Sequence, residues 1–149
     1  ETGGDSEIAR KIELVLIKKF GGNENYDVIF RAHPNERVVY PKLPRNFRVS
    51  SPNQNLHSLV SSVDIVLITS STVAIQALLL KKKVIKINKS LFKNEIPYEK
   101  ENLALAVYDL EEIKTVIEKI SDKTLNELIL SQNGIDNTLN VIYESLNKQ

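Results

Sequence analysis

The stretch Asp64-Ile65-Val66-Leu67-Ile68-Thr69-Ser70-Ser71-Thr72-Val73-Ala74-Ile75-Gln76-Ala77-Leu78 decides the fold. Its first part, Asp64 to Thr69, is the clearest strand in the chain, a continuous apolar run of the kind buried on both faces of a sheet. Ser70-Ser71-Thr72 then opens an apolar helix, Val73 to Leu80. Lys81 to Lys83 are expected in its last turn, where cations suit the helix dipole. Val84 to Ile87 reads as the next buried strand, so the stretch is the core of a strand–helix–strand unit.

The same alternation extends both ways. Upstream, Tyr26 to Phe30 is a strand that ends at Arg31-Ala32-His33-Pro34-Asn35, because Pro34 cannot donate to a ladder. Residues 36–46 hold Pro41 and Pro44 and read as a loop, Phe47 to Val49 as a short strand, and Asn55 as the cap of a helix running through Val63. Ile8, Ile12, Val15, Leu16 and Phe20 mark a first helix, with Asp5 or Ser6 as its cap and Gly21-Gly22-Asn23 as its stop. Downstream come a polar loop over 88–100 with Pro97, a last short strand from Leu103 to Val107, and helices at Leu110–Ile120, Thr124–Leu130 and about Asp136–Leu146. The implied fold is α/β: a Rossmann-like, three-layer domain with a mostly parallel sheet of roughly five strands. Residues 1–5 read as an expression scar or as a glycine-containing loop after an absent strand. A truncated domain is favoured, since such sheets usually begin with a strand. Residues 6–149 then form one Rossmann-like domain with C-terminal helices.

Composition narrows the function. The 149 residues suit one domain, and 42% apolar with 26% charged residues excludes wholesale disorder. Lys and Arg number 20 against 19 Asp and Glu, which argues against a dedicated nucleic-acid binder. There is no cysteine, so disulfides, thiolate catalysis and cysteine-held metals are excluded. The two histidines, His33 and His57, are too few for a histidine-rich metal site. No apolar run approaches the ~20 residues that cross a bilayer, and no signal peptide is visible. A cytoplasmic location is the expectation, in which the sequon-like Asn88-Lys89-Ser90 carries no meaning.

Ligands of parallel sheets bind beyond the carboxyl ends of the strands. Three such ends carry polar residues: Arg31, His33 and Asn35; Ser70, Ser71 and Thr72; and Asn88, Lys89 and Ser90. The serine–threonine run places hydroxyls and free backbone N–H groups at a helix start, an anion site by construction. The alternative is that Ser71 only caps the helix. His33 offers a phosphate either a neutral N–H or a cation. Arg31 either pairs with a carboxylate or reaches the same phosphate. His57 reads as surface, and Glu111, Glu112 and Glu118 give no paired-carboxylate arrangement. Lys81 to Lys83 read as a solvated helix end, with anionic-membrane contact as the alternative.

The string Val28-Ile29-Phe30-Arg31-Ala32-His33-Pro34-Asn35 resembles the "HP" motif of a group of GT-B glycosyltransferases, and Asp64 to Leu78 resembles their downstream serine motif. That group includes bacterial sialyl- and polysialyltransferases, Kdo-type capsule transferases and CDP-glycerol glycerophosphotransferases. The resemblance covers about residues 6–120. It implies the C-terminal lobe of a GT-B fold, binding a CMP- or CDP-activated donor for surface polysaccharide synthesis. It also implies roles: His33 as the catalytic contact to the leaving phosphate, with Ser70, Ser71 and Thr72 holding the same phosphate. Arg31, Asn35, Asn55 and Gln76 become donor-binding candidates, with base and ribose along Ser51 to Asn55. The donor is substrate; no cofactor and no metal are implied. The partner is a missing N-terminal lobe or a second copy, which an unpaired strand edge invites. Gln76 stands where many relatives carry a glutamate, and Lys81-Lys82-Lys83 replaces a small-residue-plus-proline turn. The same half-fold occurs in non-hydrolysing UDP-N-acetylglucosamine 2-epimerases, which typically have glycines where this chain has Ser71 and Thr72. A non-catalytic nucleotide-binding module is the remaining alternative.

Overall fold

A computed structural model describes residues 3–32, 40, 42–69, 71–88, 98–120 and 122–125. The described elements are α1 (Gly3–Phe20), β1 (Val28–Phe30), β2 (Phe47–Val49), α2 (Leu56–Ser61), β3 (Ile65–Ile68), α3 (Val73–Leu79), β4 (Lys83–Ile87), β5 (Leu105–Val107), a 3-10 turn (Leu110–Glu112) and α4 (Ile113–Ile120). The chain is α/β, and every strand pairing is parallel. The five strands hydrogen-bond as two ladders rather than one: β1 with β2, and β3-β4-β5 in that order.

Alternation along β4 explains the layering. Val84 packs with Val60 of α2 and with Ala74, Ala77 and Leu78 of α3. Ile85 and Ile87 pack on the opposite side with Ile12, Leu16 and Phe20 of α1 and with Ile113 and Ile120 of α4. Successive side chains of a strand point to opposite faces, so β4 alone demands helices on both sides. Phe30 of β1, Phe47 of β2 and Val107 of β5 join the α1/α4 layer, so the two ladders share one apolar layer. Each such fully buried side chain contributes about 1.5–3 kcal/mol of transfer free energy.

Several sequence expectations are corrected. Helix α1 starts at Gly3, so Gly3 and Gly4 are helical, and Asp5 and Ser6 lie inside its first turn instead of before it. The 110–120 helix opens as a 3-10 turn, because the Asp109 carboxylate accepts from Glu111 N at 3.0 Å and tightens the start. The strands at 28–30 and 105–107 are shorter than expected at their N-terminal ends. Of the expected 124–130 helix, Thr124 and Leu125 carry no regular structure; its remainder and the 136–146 helix lie outside the described residues.

The three lysines do not sit in the last turn of α3. Lys81 adopts φ 55° and ends the helix. Lys81 N donates to Leu78 O and Lys82 N to Ala77 O, the paired bonds of a Schellman stop. Lys82 and Lys83 then diverge. Lys82 Nζ donates to Ser61 O, the last residue of α2, at 2.8 Å. Lys83 Nζ donates to Ile120 O, the last residue of α4, at 2.5 Å. Consecutive residues entering β4 reach opposite sides of the sheet, so one lysine caps a helix in each outer layer. Among the described residues no helix is long and apolar enough to cross a membrane.

Asn46 closes the corner where α1 meets the first ladder. Its Nδ2 donates toward Phe20 O at 2.9 Å, Asn23 O at 3.1 Å and Tyr26 O at 2.9 Å. Its Oδ1 accepts from Gly22 N at 2.8 Å. Gly22 sits at φ 75°, the left-handed stop that glycine adopts without penalty. We expect Asn46→Ala to cost about 2–3 kcal/mol in urea unfolding, because four backbone groups lose a partner. Asn46→Asp should cost more, since it faces the same carbonyls with acceptors only; an Asp variant as stable as wild type would refute this account.

Candidate functional site

The site is built on the turns that follow β1, β2 and β3. Ser50 N donates to Phe30 O at 2.9 Å and extends the first ladder by one residue. Arg31, the residue after β1, reaches across that extension. Its Nη1 donates to Ser51 O at 3.1 Å and Gln54 O at 3.0 Å, with Ser50 Oγ at 3.5 Å. Both sequence readings of Arg31 gave it an anionic partner; its partners here are two carbonyls and a hydroxyl. The guanidinium shapes the 50–55 turn.

That turn feeds directly into α2. Asn55 caps the helix, its Oδ1 accepting from Ser58 N at 3.1 Å. This is the cap expected from sequence, and it commits the Asn55 oxygen to the backbone. One residue into α2, His57 meets Gln76 of α3, with Gln76 Nε2 at 3.5 Å from His57 Nδ1. The amide donates when the ring carries its proton on Nε2. His57 is exposed, as the sequence predicts, and its contact with Gln76 joins the first turns of α2 and α3.

The head of α3 is hydrogen-bonded within its own backbone and to Ser71. Ser71 Oγ accepts from Val73 N at 3.2 Å. Ser71 O accepts from Ala74 N at 3.3 Å and Thr72 O from Ile75 N at 3.0 Å. These N–H groups are engaged locally, with Ser71 Oγ forming a short turn ahead of the helix, whose capping position is Thr72. Thr72 is exposed and makes no side-chain cap bond. An anion arriving here would have to displace the Ser71 hydroxyl from Val73 N. At the third strand end, Asn88 N donates to Val107 O at 2.8 Å and continues the β4–β5 ladder.

The structure thus gathers Arg31 and Asn55 on one turn, joins Gln76 to α2, and places Ser71 and Thr72 at the start of α3. His33, Asn35, Ser70, Lys89 and Ser90 lie outside the described residues. Among the described residues, no three His, Asp or Glu side chains converge as a metal site.

Two polar clusters carry no motif and were not foreseen. Tyr40, near the end of the 31–46 connection, donates its hydroxyl to Glu13 Oε1 of α1 at 2.6 Å. Arg10 pairs with Glu13 and lies 5.2 Å over the Tyr40 ring, which also stacks on Phe30. Burial, reinforced by the bond to Glu13, pushes the phenol up to about 12. Lys86, on β4, is 4% exposed and lies 3.7 Å from Glu99. Its signal was available: Lys86 is two residues from the buried Val84, so alternation puts an ammonium on a covered face.

Comparison of the chain with family models, with characterised proteins and with solved structures gives no match.

Replacing Arg31 with Met should lower unfolding stability by about 1–3 kcal/mol, the range for hydrogen bonds from a charged donor. Equal stability of the two proteins would show that the guanidinium does not hold the turn. Tyr40 gives a pH test. Its folded pKa of about 12 exceeds the ordinary 10.0. Above pH 10 the unfolded chain therefore binds fewer protons than the native one, and stability falls as pH rises. The stability difference between wild type and Tyr40→Phe should be constant below pH 10 and shrink between pH 10 and 12. Denaturant midpoints across that interval check it, and a difference that stays flat would contradict the assignment.

Proposed function

We propose that this chain binds a sugar nucleotide, as the donor lobe of a GT-B glycosyltransferase of the HP-motif kind acting in surface polysaccharide synthesis. The observation that carries the reading is the side-by-side first turns of α2 and α3, joined by His57 and Gln76, beyond the ends of parallel strands. Open α/β sheets bind nucleotides at this place. The resemblance around His33-Pro34 and Ser70-Ser71-Thr72 supplies the chemistry: His33 and the serine hydroxyls stabilise the phosphate that leaves as the glycosyl bond breaks. Substitution then occurs at the donor's anomeric carbon, or at phosphorus if the donor is CDP-glycerol. Arg31 acts by fixing the turn that would run beside base and ribose, and Asn55 by starting α2. A cytidine nucleotide is the proposed donor moiety, with acceptor and catalytic base on a separate lobe.

One observation favours a binding module without transfer activity. Gln76, at the position where the resembling enzymes often carry a glutamate, is uncharged and already engaged by His57. Thermal stabilisation separates the readings, because a ligand of the native state raises the midpoint by mass action. CMP or CDP at a hundredfold excess over Kd should stabilise the chain by about 2.7 kcal/mol. The nucleotide-induced shift, measured against each variant's own baseline, should vanish in His33→Ala and Ser71→Ala. Baselines matter because Ser71→Ala also removes a local hydrogen bond to Val73 N worth about 1 kcal/mol. A shift with uridine nucleotides alone would point to an epimerase-like lobe. No shift with any nucleotide, in this chain or in one carrying an added N-terminal lobe, would reject nucleotide binding.

A further inference from the structure

Among the described residues, β1 pairs only with β2 and β3 only with β4, and no ladder joins β1 to β3. β2 is exposed at Arg48 and Val49, so β1 is the inner strand of the first ladder. Backbone bonds at the ladder ends fix which groups face the gap. Val28 N donates to Asn46 O at 2.8 Å and Phe30 O accepts from Ser50 N at 2.9 Å, so Val28 and Phe30 turn their main-chain groups to β2. Alternate residues of a parallel strand bond to opposite neighbours, so Ile29 faces away from β2. Lys83 N donates to Asp64 O at 3.2 Å, which by the same alternation turns Val66 and Ile68 to β4, and Ile65 and Leu67 away from it. The gap is thus edged by the N–H and C=O groups of Ile29 on one side and of Ile65 and Leu67 on the other.

Neither inner strand reads as an edge. Val28-Ile29-Phe30 and Ile65-Val66-Leu67-Ile68 are uninterrupted apolar runs, without the lysine or proline that guards an open edge. Their burial falls short of their composition. β4, paired on both sides, is buried at four of its five positions, whereas β1 and β3 are each buried only at the last residue. Ile29 belongs to neither apolar cluster among the described residues. Yet Val28 and Phe30 of β1 and Ile65 and Leu67 of β3 all reach the layer that holds Ile12, Leu16 and Phe20 of α1.

The hand of the crossovers decides what belongs between them. α3 packs on one face and carries the chain from β3 to β4. α2, on that same face, carries it from β2 to β3, which sets the first ladder beyond the open edge of β3. α1 packs on the opposite face and leads into β1. Parallel crossovers are right-handed in about 98% of cases, and right-handed crossovers on opposite faces step in opposite directions. A parallel strand feeding α1 therefore lies on the β3 side of β1, in the gap.

We propose that the gap between β1 and β3 seats a sixth parallel strand, an extended apolar segment supplied by residues preceding Glu1 in a longer form of this chain. It pairs with Ile29 on one side and with Ile65 and Leu67 on the other, and makes one sheet of the two ladders. The seat is independent of the nucleotide reading and stands or falls without it.

Amide hydrogen exchange tests it on two proteins: the 149-residue chain, and the same chain extended before Glu1 by Lys-Val-Ile-Val-Ile-Val-Asn-Gly. In the first, the amides of Ile29, Ile65 and Leu67 should exchange faster than those of Val66 and Ile68, which are paired to β4. In the second, the same three should slow by about tenfold more than Val66 and Ile68 do, the size of one net hydrogen bond each. An extension with proline at its second and fourth positions should give no such slowing, because proline cannot donate to a ladder. Exchange at Ile29, Ile65 and Leu67 that is already as slow as at Val66 and Ile68 in the 149-residue chain overturns the proposal. If that protection fades on dilution, the occupant is a second copy of the chain. An apolar extension that leaves the three amides as fast as before, or slows them no more than the proline-bearing one, overturns it as well.

Discussion

One amide, that of Asn46, fixes where the first helix stops and the first ladder begins. A helix end leaves carbonyls without partners, and a tight turn leaves N–H groups in the same condition. Here the last carbonyl of α1, the carbonyls of Asn23 and Tyr26, and the N–H of Gly22 converge on a side chain contributed by the residue before β2. Asn46 O in turn accepts from Val28 N, the first residue of β1, at 2.8 Å. Side chain and main chain of one residue thus align α1, β1 and β2. The register Val28↔Phe47 follows from this corner, and with it the placement of Phe30 and Phe47 under α1.

The second ladder is ordered by β4, which pairs on both sides and carries the side chains that define both faces. Exposed ion pairs do limited energetic work in this fold. Arg48–Asp27 is more than half exposed on both sides, and pairs of that kind contribute little. Lys19 is different, because its ammonium bonds both the Glu111 carboxylate at 2.8 Å and the Glu111 carbonyl at 3.0 Å, tying α1 to the 3-10 turn. It holds the Glu111 carboxyl below the usual carboxylate range.

The α/β class was legible because apolar strand runs are short, continuous and separated by helical spacing. Asp64 to Leu78 alone contained a strand, a cap and a helix. The Asn55 cap and the Gly22 stop were legible for a similar reason: both are local chemistry, complete within a few residues. What escaped was non-local. Asn46 and its partners are up to 26 residues apart, and Lys83 reaches a carbonyl 37 residues away. No window along the chain contains both ends of such a bond. The serine run was legible as a helix start, but whether its N–H groups are free depends on rotamers that the sequence does not encode.

The lysine triplet and Lys86 have opposite consequences for strand registration. If β4 slid by one residue so that Lys81 and Lys82 took the places of Lys82 and Lys83, a lysine would still stand at each helix-capping position, so the triplet does not exclude that neighbouring alignment. The same slide would exchange the faces of Val84, Ile85, Lys86 and Ile87. Lys86 would then enter the layer of Ile12, Leu16, Phe20 and Ile113, an all-hydrocarbon surrounding where an ammonium costs several kcal/mol. A charge inside a strand therefore acts as a proofreading device: it leaves the correct pairing tolerable and makes the adjacent one untenable.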